Sequence, residues 1–380
     1  MTDGTTPATT RTAADGRHHT VVLGAGYAGL ITALRLAPHH RVTLVEPNDA
    51  FTERVRLHEL AAGRPGVSHP LAGFLRGTGI EHIRARATAI DPAARQVHTD
   101  DGRTLGYHRL VYGLGSRTAT DGGALGTGDR AHTAETAAAL RKRLQDGPGT
   151  VAVVGGGLTG IELAAELAES YPGRRVRLLT ADEIGHGLSA KGRAHVHRTL
   201  RGLGVEVAEG RRFASADEVD ADTVVWAAAM TANTELAAAA GLALDEGGRI
   251  RVDQALRSIS HPEVYAVGDA AAAASPGVGP LRMACATAWP TGTHAATSIL
   301  AELRGREPGP MRFRYQVQCV SLGRRDGLIQ FVRPDDTPRD RVLTGRPAAY
   351  VKEQIVRTTI RVLRLAHRHP GVLPYLPTAS

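Results

Sequence analysis

Short apolar runs, glycine-rich turns and longer amphipathic segments follow one another in a repeated order along this chain of 380 residues. The apolar run Val21-Val22-Leu23 precedes a turn over residues 24–29, and residues 30–36 continue with helical spacing. The same order returns over residues 151–168. A buried strand, a tight turn and a helix in this order are typical of α/β proteins with parallel sheets. We therefore predict two such units.

Both turns have the glycine spacing GxGxxG, at Gly24, Gly26 and Gly29 and again at Gly155, Gly157 and Gly160. Such glycines permit a tight turn and a close approach of the backbone to a pyrophosphate at a helix N-terminus. An acid about 20 residues further on hydrogen-bonds a ribose hydroxyl. Glu46 fills that position in the first unit, whereas the second has Thr180, with Asp182 and Glu183 beyond it. The sequence predicts two dinucleotide sites of unequal ribose chemistry.

The pattern of the first unit returns late in the chain. A hairpin arm is predicted over residues 81–103, an apolar strand runs into Gly115, and a second strand runs into the turn Gly268-Asp269. We therefore expect the second unit to be inserted into a discontinuous first domain. The predicted divisions are a disordered tail (1–18), the first domain (19–122 and 247–303), the second domain (123–246) and a small C-terminal α+β segment (304–380).

Composition narrows the function classes. The only cysteines, Cys285 and Cys319, form no CxxC pair, which argues against a dithiol redox centre and favours a reducing, cytoplasmic setting, although a bridge between the two stays open. No apolar run approaches the roughly 20 residues of a membrane span, and residues 1–17 lack the pattern of a targeting signal. The 17 histidines show no ligand spacing, so we predict no metal.

The positive charge is concentrated near the C-terminus. The chain carries a net charge of +8, and residues 301–380 hold 15 Arg plus Lys against 7 Asp plus Glu. Residues 351–367 predict an amphipathic helix with an arginine stripe at Arg357, Arg361, Arg364 and Arg368. Three interpretations stay open: a solvated face whose apolar side docks on the protein, peripheral contact with an anionic membrane, and a docking face for a partner. No nucleic-acid-binding motif accompanies the charge.

These motifs in this order resemble the two-dinucleotide-binding-domain flavoproteins of the pyridine nucleotide-disulfide oxidoreductase fold. Within that fold the chain is most similar to the type II NADH:quinone oxidoreductase and apoptosis-inducing-factor-like branch. The resemblance implies FAD at the first turn and NAD(P)H at the second. It assigns Glu46, Gly115, Gly268 and Asp269 to FAD, with the Asp269 carboxylate on the ribityl chain, and it brings Arg54 towards the flavin.

The resemblance also suggests two residues with catalytic roles. Glu162 matches a glutamate beneath the nicotinamide, although an acid in the first turn of a helix is also favoured by the helix dipole alone. Trp289 would form a flat apolar wall at the flavin, or would simply pack in the core. Quinone-reducing relatives carry two glutamines near the flavin, and this chain has Thr287 and Thr291 there instead. This difference from the relatives puts in question whether a quinone is the electron acceptor.

The sequence therefore predicts an FAD-dependent NAD(P)H dehydrogenase that passes electrons to a quinone-like or other aromatic acceptor. A ferredoxin-type reductase with a protein acceptor and a slow-turnover, nucleotide-sensing flavoprotein are the alternatives. The expected location is the cytoplasm or the inner face of the membrane. The choice between NADH and NADPH and the formation of a homodimer stay open.

Overall fold

The computed structural model describes residues 18–64 and 67–369, so the predicted tail lies almost wholly outside the described residues. Residues 19–112 build most of a parallel sheet and a small antiparallel arm. Its elements are β1 (His19–Leu23), α1 (Tyr27–Leu36), β2 (Arg41–Val45), β3 (Ala50–Thr52), α2 (Leu57–Ala61), β4 (Ser68–Pro70), α3 (Ala72–Leu75), β5 (Glu81–Ile83), β6 (Ala87–Asp91), β7 (Gln96–Thr99), β8 (Thr104–Gly106) and β9 (Arg109–Tyr112).

A second parallel sheet follows. Its region contains β10 (Ser116–Thr118), β11 (Ala131–His132), α4 (Ala137–Gln145), β12 (Gly149–Val154), α5 (Leu158–Ser170), β13 (Arg174–Leu179), α6 (Ala190–Gly202), β14 (Glu206–Ala208), β15 (Thr223–Trp226), β16 (Met230–Ala232) and α7 (Glu235–Ala239). The strand order is β11-β15-β12-β13-β14, and all the pairs are parallel. The antiparallel pair β10-β16 joins the two places where the chain passes between the units.

The chain then returns to the first sheet. The following elements are β17 (Ile250–Arg251), β18 (Val264–Ala266), β19 (Ala271–Ala272), β20 (Ala274–Ser275), β21 (Gly279–Pro280) and α8 (Cys285–Leu303). Strand β18 pairs with β9 and completes the order β18-β9-β1-β2-β5. Helix α8 packs tightly on α1, because a Cβ on Gly292 would lie 2.4 Å from the Ala28 carbonyl oxygen. The predicted inserted architecture is confirmed.

The C-terminal segment covers both units. Three antiparallel strands, β22 (Val317–Ser321), β23 (Gly327–Val332) and β24 (Pro338–Thr344), precede the helix α9 (Gly345–Arg368). The inward face of α9 is buried with the core of the first unit at Ile360, Leu363 and Ala366. The sheet packs on the core around α5 through Val320 and Leu328. The apolar face of the predicted amphipathic helix therefore docks on the protein itself.

The apolar run at residues 21–23 is observed as part of β1, which is buried on both faces of a parallel sheet. The hairpin arm predicted over residues 81–103 was partly wrong, because β5 pairs with β2 in the parallel sheet and only β6, β7 and β8 form the antiparallel arm. Strand β24 was not anticipated, since its sequence Pro338–Thr344 is largely polar and half-buried. Within the described residues, no helix has the length and apolar character needed to cross a bilayer.

Candidate functional site

The first glycine turn has the geometry that a dinucleotide requires. Gly24 has a φ of +89°, and a Cβ there would lie 2.7 Å from the Gly113 carbonyl oxygen. A Cβ on Gly29 would come within 2.0 Å of the Gly24 carbonyl oxygen. Around Gly26, in contrast, no described atom lies within 4 Å of an added Cβ. The first and third glycines thus serve the turn and the packing, and the second leaves open space beside the backbone.

The second turn repeats this arrangement. A Cβ on Gly155 would lie 2.5 Å from the Ala227 carbonyl oxygen, and one on Gly160 would lie 1.9 Å from the Gly155 carbonyl oxygen. Gly157 again has open space around it. Thr180 is buried at the end of β13, where a Cβ on Gly156 would come within 2.6 Å of its hydroxyl oxygen. Two chemically different sequences therefore build the same phosphate-binding shape.

A cavity of about 1420 Å³ extends from the first turn to the C-terminal helix. It brings together most of the predicted flavin-site residues and both predicted catalytic residues. Its lining includes Gly24, Gly26, Glu46, Arg54, Gly115, Gly268, Asp269, Glu162 and Trp289. The floor of the cavity belongs to the first unit, and the other walls come from α5, α8, β22 and α9. The tertiary structure thus joins most flavin-site residues with Glu162 and Trp289 in one cavity, whereas Gly155, Gly157, Gly160 and Thr180 are not among the residues that line it.

The carboxylates at the first turn fit FAD. Glu46 accepts a hydrogen bond from the Ala25 N–H at 3.0 Å, which places its side chain against the turn. Asp269 accepts a hydrogen bond from the Ser116 hydroxyl at 2.6 Å through Oδ2, whereas its Oδ1 is buried without a hydrogen-bond partner among the described residues. A buried carboxylate oxygen requires a donor. A ribityl hydroxyl at the cavity edge would supply one, so these residues suit the cofactor.

Two further flavin-site predictions have defined surroundings. The positive φ angles of Gly115 and Gly268 shape the two turns at the cavity edge. Arg54 also lines the cavity, but its guanidinium pairs with Glu135 at 2.6 Å, which lies just before α4 in the second unit. Arg54 therefore connects the two units, and its contact with the flavin stays a prediction.

Glu162 is the centre of a buried charge pair. It lies in the second turn of α5, because the helix begins at Leu158, directly after Gly157 and before the third glycine of the motif. The expectation of a first-turn acid was therefore wrong, and the helix dipole does not explain this residue. Its Oε1 accepts hydrogen bonds from Lys352 Nζ at 2.5 Å and from the Ser321 N–H at 2.9 Å. Both partners come from the C-terminal segment.

The surroundings of the pair keep both groups charged. Burial alone would raise the pKa of Glu162, but Lys352, the neighbouring His58 and the Ser321 N–H bring it below the ordinary value. Burial alone would lower the pKa of Lys352, but the Glu162 carboxylate raises it above its usual range. No described residue hydrogen-bonds Glu162 Oε2, so this oxygen is free to accept a bond from a ligand.

His58 is a further polar group on the cavity wall. It lies in α2, and its Nε2 is buried without a hydrogen-bond partner among the described residues. Burial lowers the pKa of His58, and Glu162 opposes this only in part. The imidazole is therefore neutral near pH 7 and faces the Glu162–Lys352 pair.

Helix α8 forms the apolar wall. The hydroxyls of Thr287 and Thr291 donate to carbonyl oxygens of their own helix and its N-terminal approach, and the Gly268 N–H donates to Thr291 at 2.9 Å. Both threonines therefore support the backbone and do not line the cavity, whereas Trp289 does, with its indole N–H buried and free of described partners. A planar ligand would find a flat apolar surface here.

The two cysteines both line the cavity, although 34 positions separate them in the chain. The Cys285 thiol is exposed to the cavity, where desolvation by the surrounding walls raises its pKa, and burial raises the pKa of Cys319 to about 11. Both side chains are therefore thiols and not reactive thiolates near pH 7. Among the described residues there is no cluster of three or more His, Cys, Asp or Glu side chains suited to a metal ion, and the predicted absence of a metal stays untested.

Sequence reasoning did not anticipate Lys352. The residue lies within the predicted helix, on the face of α9 opposite the arginine stripe. The sequence does set Lys352 apart, since it is one of only three lysines among 46 basic residues in a chain that otherwise uses arginine. Its pairing with Glu162 depends on a contact across 190 positions, which no local pattern reveals.

The fold and the site define an FAD-dependent oxidoreductase that uses NAD(P)H. When bound, FAD accepts a hydride from the nicotinamide and passes the electrons to a second substrate. The chain belongs to the pyridine nucleotide-disulphide oxidoreductase family, whose pattern matches residues 18–297.

Relatives of the whole chain are known. An NADH dehydrogenase-like protein of Mycobacterium tuberculosis (strain H37Rv) is 31% identical over 378 residues, which covers 88% of this chain and 92% of that protein. The type II NADH:quinone oxidoreductase of Staphylococcus saprophyticus is 27% identical, with 90% and 95% covered. The solved structure of the sulfide:quinone oxidoreductase of Aquifex aeolicus superposes with a TM-score of 0.75 at 22% identity and covers 92% of each chain.

Proposed function

We propose that this enzyme oxidises NAD(P)H and reduces a quinone or a similar planar aromatic acceptor. The balanced reaction consumes one NAD(P)H, one proton and one quinone and yields NAD(P)⁺ and the quinol. The observation that carries the proposal is the continuity of the cavity, which joins the flavin turns, the Glu162–Lys352 pair and the apolar surfaces of α8 and α9. The names of two relatives, an NADH dehydrogenase-like protein and an NADH:quinone oxidoreductase, support it.

Different residues of the cavity would hold the flavin and the nicotinamide. Asp269 and Ser116 hold the flavin side chain at the carboxyl end of the first sheet. Glu162 positions the nicotinamide, because its free Oε2 accepts a hydrogen bond from the carboxamide while Lys352 and Ser321 fix the carboxylate. Because the pair stays charged, it performs this task over a broad range of pH.

The acceptor would lie against the apolar wall. Trp289 on α8 and Ile355 and Val356 on α9 line the same cavity, and they exclude water from one side of a flat ring. The threonines that replace the family's glutamines remove polar groups from this wall, so the site suits an aromatic ring with few specific hydrogen bonds. We infer a broad acceptor range on this basis.

Steady-state kinetics test the proposal. The purified holoprotein should turn over with a water-soluble quinone. Ile355→Ser should raise the KM for the quinone severalfold and leave the rate of flavin reduction by NAD(P)H unchanged. Leu365→Ser is the matched control, since both side chains are similarly exposed on α9 but Leu365 is not among the residues that line the cavity. Equal effects of the two variants would contradict the proposed acceptor position.

Other outcomes would replace the proposal. If turnover requires an added iron–sulfur protein, the enzyme is a protein-acceptor reductase. If both nucleotides bind tightly and no acceptor turns over, the chain is a nucleotide sensor.

We further propose that the outer face of α9 contacts an anionic membrane. Arg357, Arg361, Arg364 and Arg368 are all exposed, and no carboxylate among the described residues pairs with the last three. Each would contribute on the order of 1 kcal/mol of attraction to an anionic surface. Cosedimentation with anionic vesicles should be strong at low salt, weak at high salt and reduced by Arg361→Gln with Arg364→Gln. Absence of binding at low salt would contradict this, and analytical ultracentrifugation of the protein without vesicles would test for a homodimer.

A further inference from the structure

The two dinucleotide turns of this chain differ at one equivalent position. Strands β1 and β2 pair Leu23 with Val45, and strands β12 and β13 pair Val154 with Leu179. The next residue along the second strand of each pair is Glu46 in the first unit and Thr180 in the second. In each unit this residue lies against the glycine turn. The internal comparison therefore shows a carboxylate at one ribose position and a neutral hydroxyl at the other.

This position governs the choice between the two nicotinamide nucleotides. A carboxylate hydrogen-bonds the ribose hydroxyls of NADH and repels the 2′-phosphate of NADPH, whereas an arginine nearby accommodates that phosphate. Thr180 has no charge, so the repulsion is absent. The choice between NADH and NADPH then depends on whether a positively charged side chain lies near Thr180.

The backbone of the loop that carries Arg211 and Arg212 runs beside Thr180. The Thr180 N–H donates to the Ala208 carbonyl oxygen at 3.0 Å, and the Arg211 N–H donates to the Thr180 carbonyl oxygen at 3.2 Å. The loop after β14 therefore runs directly beside Thr180. The Arg211 guanidinium stacks on the ring of Phe213, 4.5 Å from its centroid. Arg211 and Arg212 are both exposed, and no carboxylate of the described chain pairs with either.

The acids in the neighbourhood are mostly engaged elsewhere. Glu209 accepts a hydrogen bond from the Ile184 N–H at 2.8 Å and lies 3.5 Å from His197. Glu183 pairs with Arg193 at 3.2 Å. Asp182 is exposed two residues beyond Thr180, and it is the one acid left to take the part of a ribose-binding carboxylate. Beside Thr180, the two exposed arginines Arg211 and Arg212 therefore outnumber Asp182, the one acid that is not engaged elsewhere.

We propose that the second dinucleotide site is selective for NADPH, with the 2′-phosphate bound by Arg211 and assisted by Arg212 beside Thr180. A guanidinium binds phosphate with two parallel hydrogen bonds, which a neutral ribose hydroxyl does not reproduce. The inference rests on the proposed function only in that the nucleotide must be the hydride donor. It goes beyond that function, because it names which nucleotide the site takes.

Rapid-mixing kinetics of flavin reduction in the anaerobic holoprotein test this directly. The wild type should be reduced by NADPH with a higher second-order rate constant than by NADH. Loss of one charged hydrogen-bonded contact corresponds to about 10-fold or more, so Arg211→Gln should lower the NADPH constant by that factor and leave the NADH constant within about twofold. Thr180→Glu should reverse the preference, because its carboxylate repels the phosphate.

Arg201→Gln is the matched control. Arg201 is an exposed arginine at the end of α6, which runs back along the sheet and places this residue at the edge away from Thr180. Its rate constants should equal those of the wild type. Asp182→Asn should also leave the NADPH constant unchanged, and a loss of NADH reduction in this variant would assign the ribose to Asp182.

A binding measurement separates nucleotide selectivity from catalysis. Calorimetric titration with 2′,5′-ADP and with 5′-ADP should show tighter binding of the 2′-phosphorylated probe, and Arg211→Gln should remove the difference. Equal binding of the two probes, or a wild type reduced as fast by NADH as by NADPH, would overturn the inference. A protein that prefers NADPH but reduces no quinone would leave the inference intact and would contradict only the proposed acceptor.

Discussion

Replacing Lys352 by Met should give the protein a new pH dependence of stability. The ammonium and the Glu162 carboxylate lie 2.5 Å apart, and their side chains are only 16% and 11% exposed. The variant would leave a buried carboxylate with one neutral donor, the Ser321 N–H. Removing one partner of a buried ion pair typically costs about 3–5 kcal/mol.

Glu162 would avoid that cost by binding a proton. Burial is the strongest influence on its pKa and acts upwards, so without Lys352 the folded-state pKa would lie above the ordinary 4.5. The folded state then holds more protons than the unfolded state above pH 4.5. Stability of the variant should therefore fall as the pH rises from 4.5 through the folded-state pKa, by up to about 1.4 kcal/mol per pH unit. In the wild type the pKa of Glu162 is lowered and that of Lys352 raised, so the pair adds no slope near neutral pH.

Urea unfolding of the FAD-loaded protein between pH 5 and pH 8 measures this effect. The deficit of Lys352→Met relative to the wild type should grow towards pH 8, and adding Glu162→Gln should abolish that growth. Lys191→Met, at an exposed position on α6, is the control and should match the wild type at every pH. A deficit independent of pH, or one that persists unchanged in the double variant, would refute the reasoning.

Three further predictions concern the glycine turns, the two cysteines and His40. Gly26→Val should fold but lose FAD, because the valine side chain meets no described atom and fills the space of the pyrophosphate. Gly157→Val should keep FAD, which the absorbance spectrum reports, and should lose flavin reduction by NAD(P)H. Replacing Cys285 and Cys319 together by Ala should change turnover by no more than a few-fold, because both are neutral thiols, and a loss near 100-fold would indicate a cysteine relay. Burial lowers the pKa of His40 to about 4, so stability should decline as the pH falls from 6.5 towards 4, and His40→Gln should flatten that decline in urea titrations.

Local sequence was sufficient to predict the two dinucleotide-binding units. The motifs at Gly24 and Gly155 combine a buried strand, a turn and a helix within about 15 residues, and each part is specified by its own residues. The positions of Glu46 and Asp269 were predictable for the same reason, because Glu46 directly follows an apolar strand and Asp269 lies in the turn after another. The family resemblance added the assignment of FAD and NAD(P)H to the two turns.

The contacts that complete the site were not readable from the sequence. Lys352 reaches Glu162 across 190 positions, and the loop of Arg211 reaches Thr180 through the neighbouring strand. The start of α5 was also misplaced, which gave Glu162 the wrong turn of its helix.

Strand, turn and helix formation depends on neighbours a few residues apart, and the sequence of this protein by itself therefore determined its class, its two nucleotide-binding turns and the order of its domains. Side chains from separate segments meet only where sheets and helices pack. The tertiary structure alone thus decided which residue neutralises the buried Glu162 carboxylate, which wall the C-terminal helix gives to the cavity, and that the loop of Arg211 runs beside Thr180.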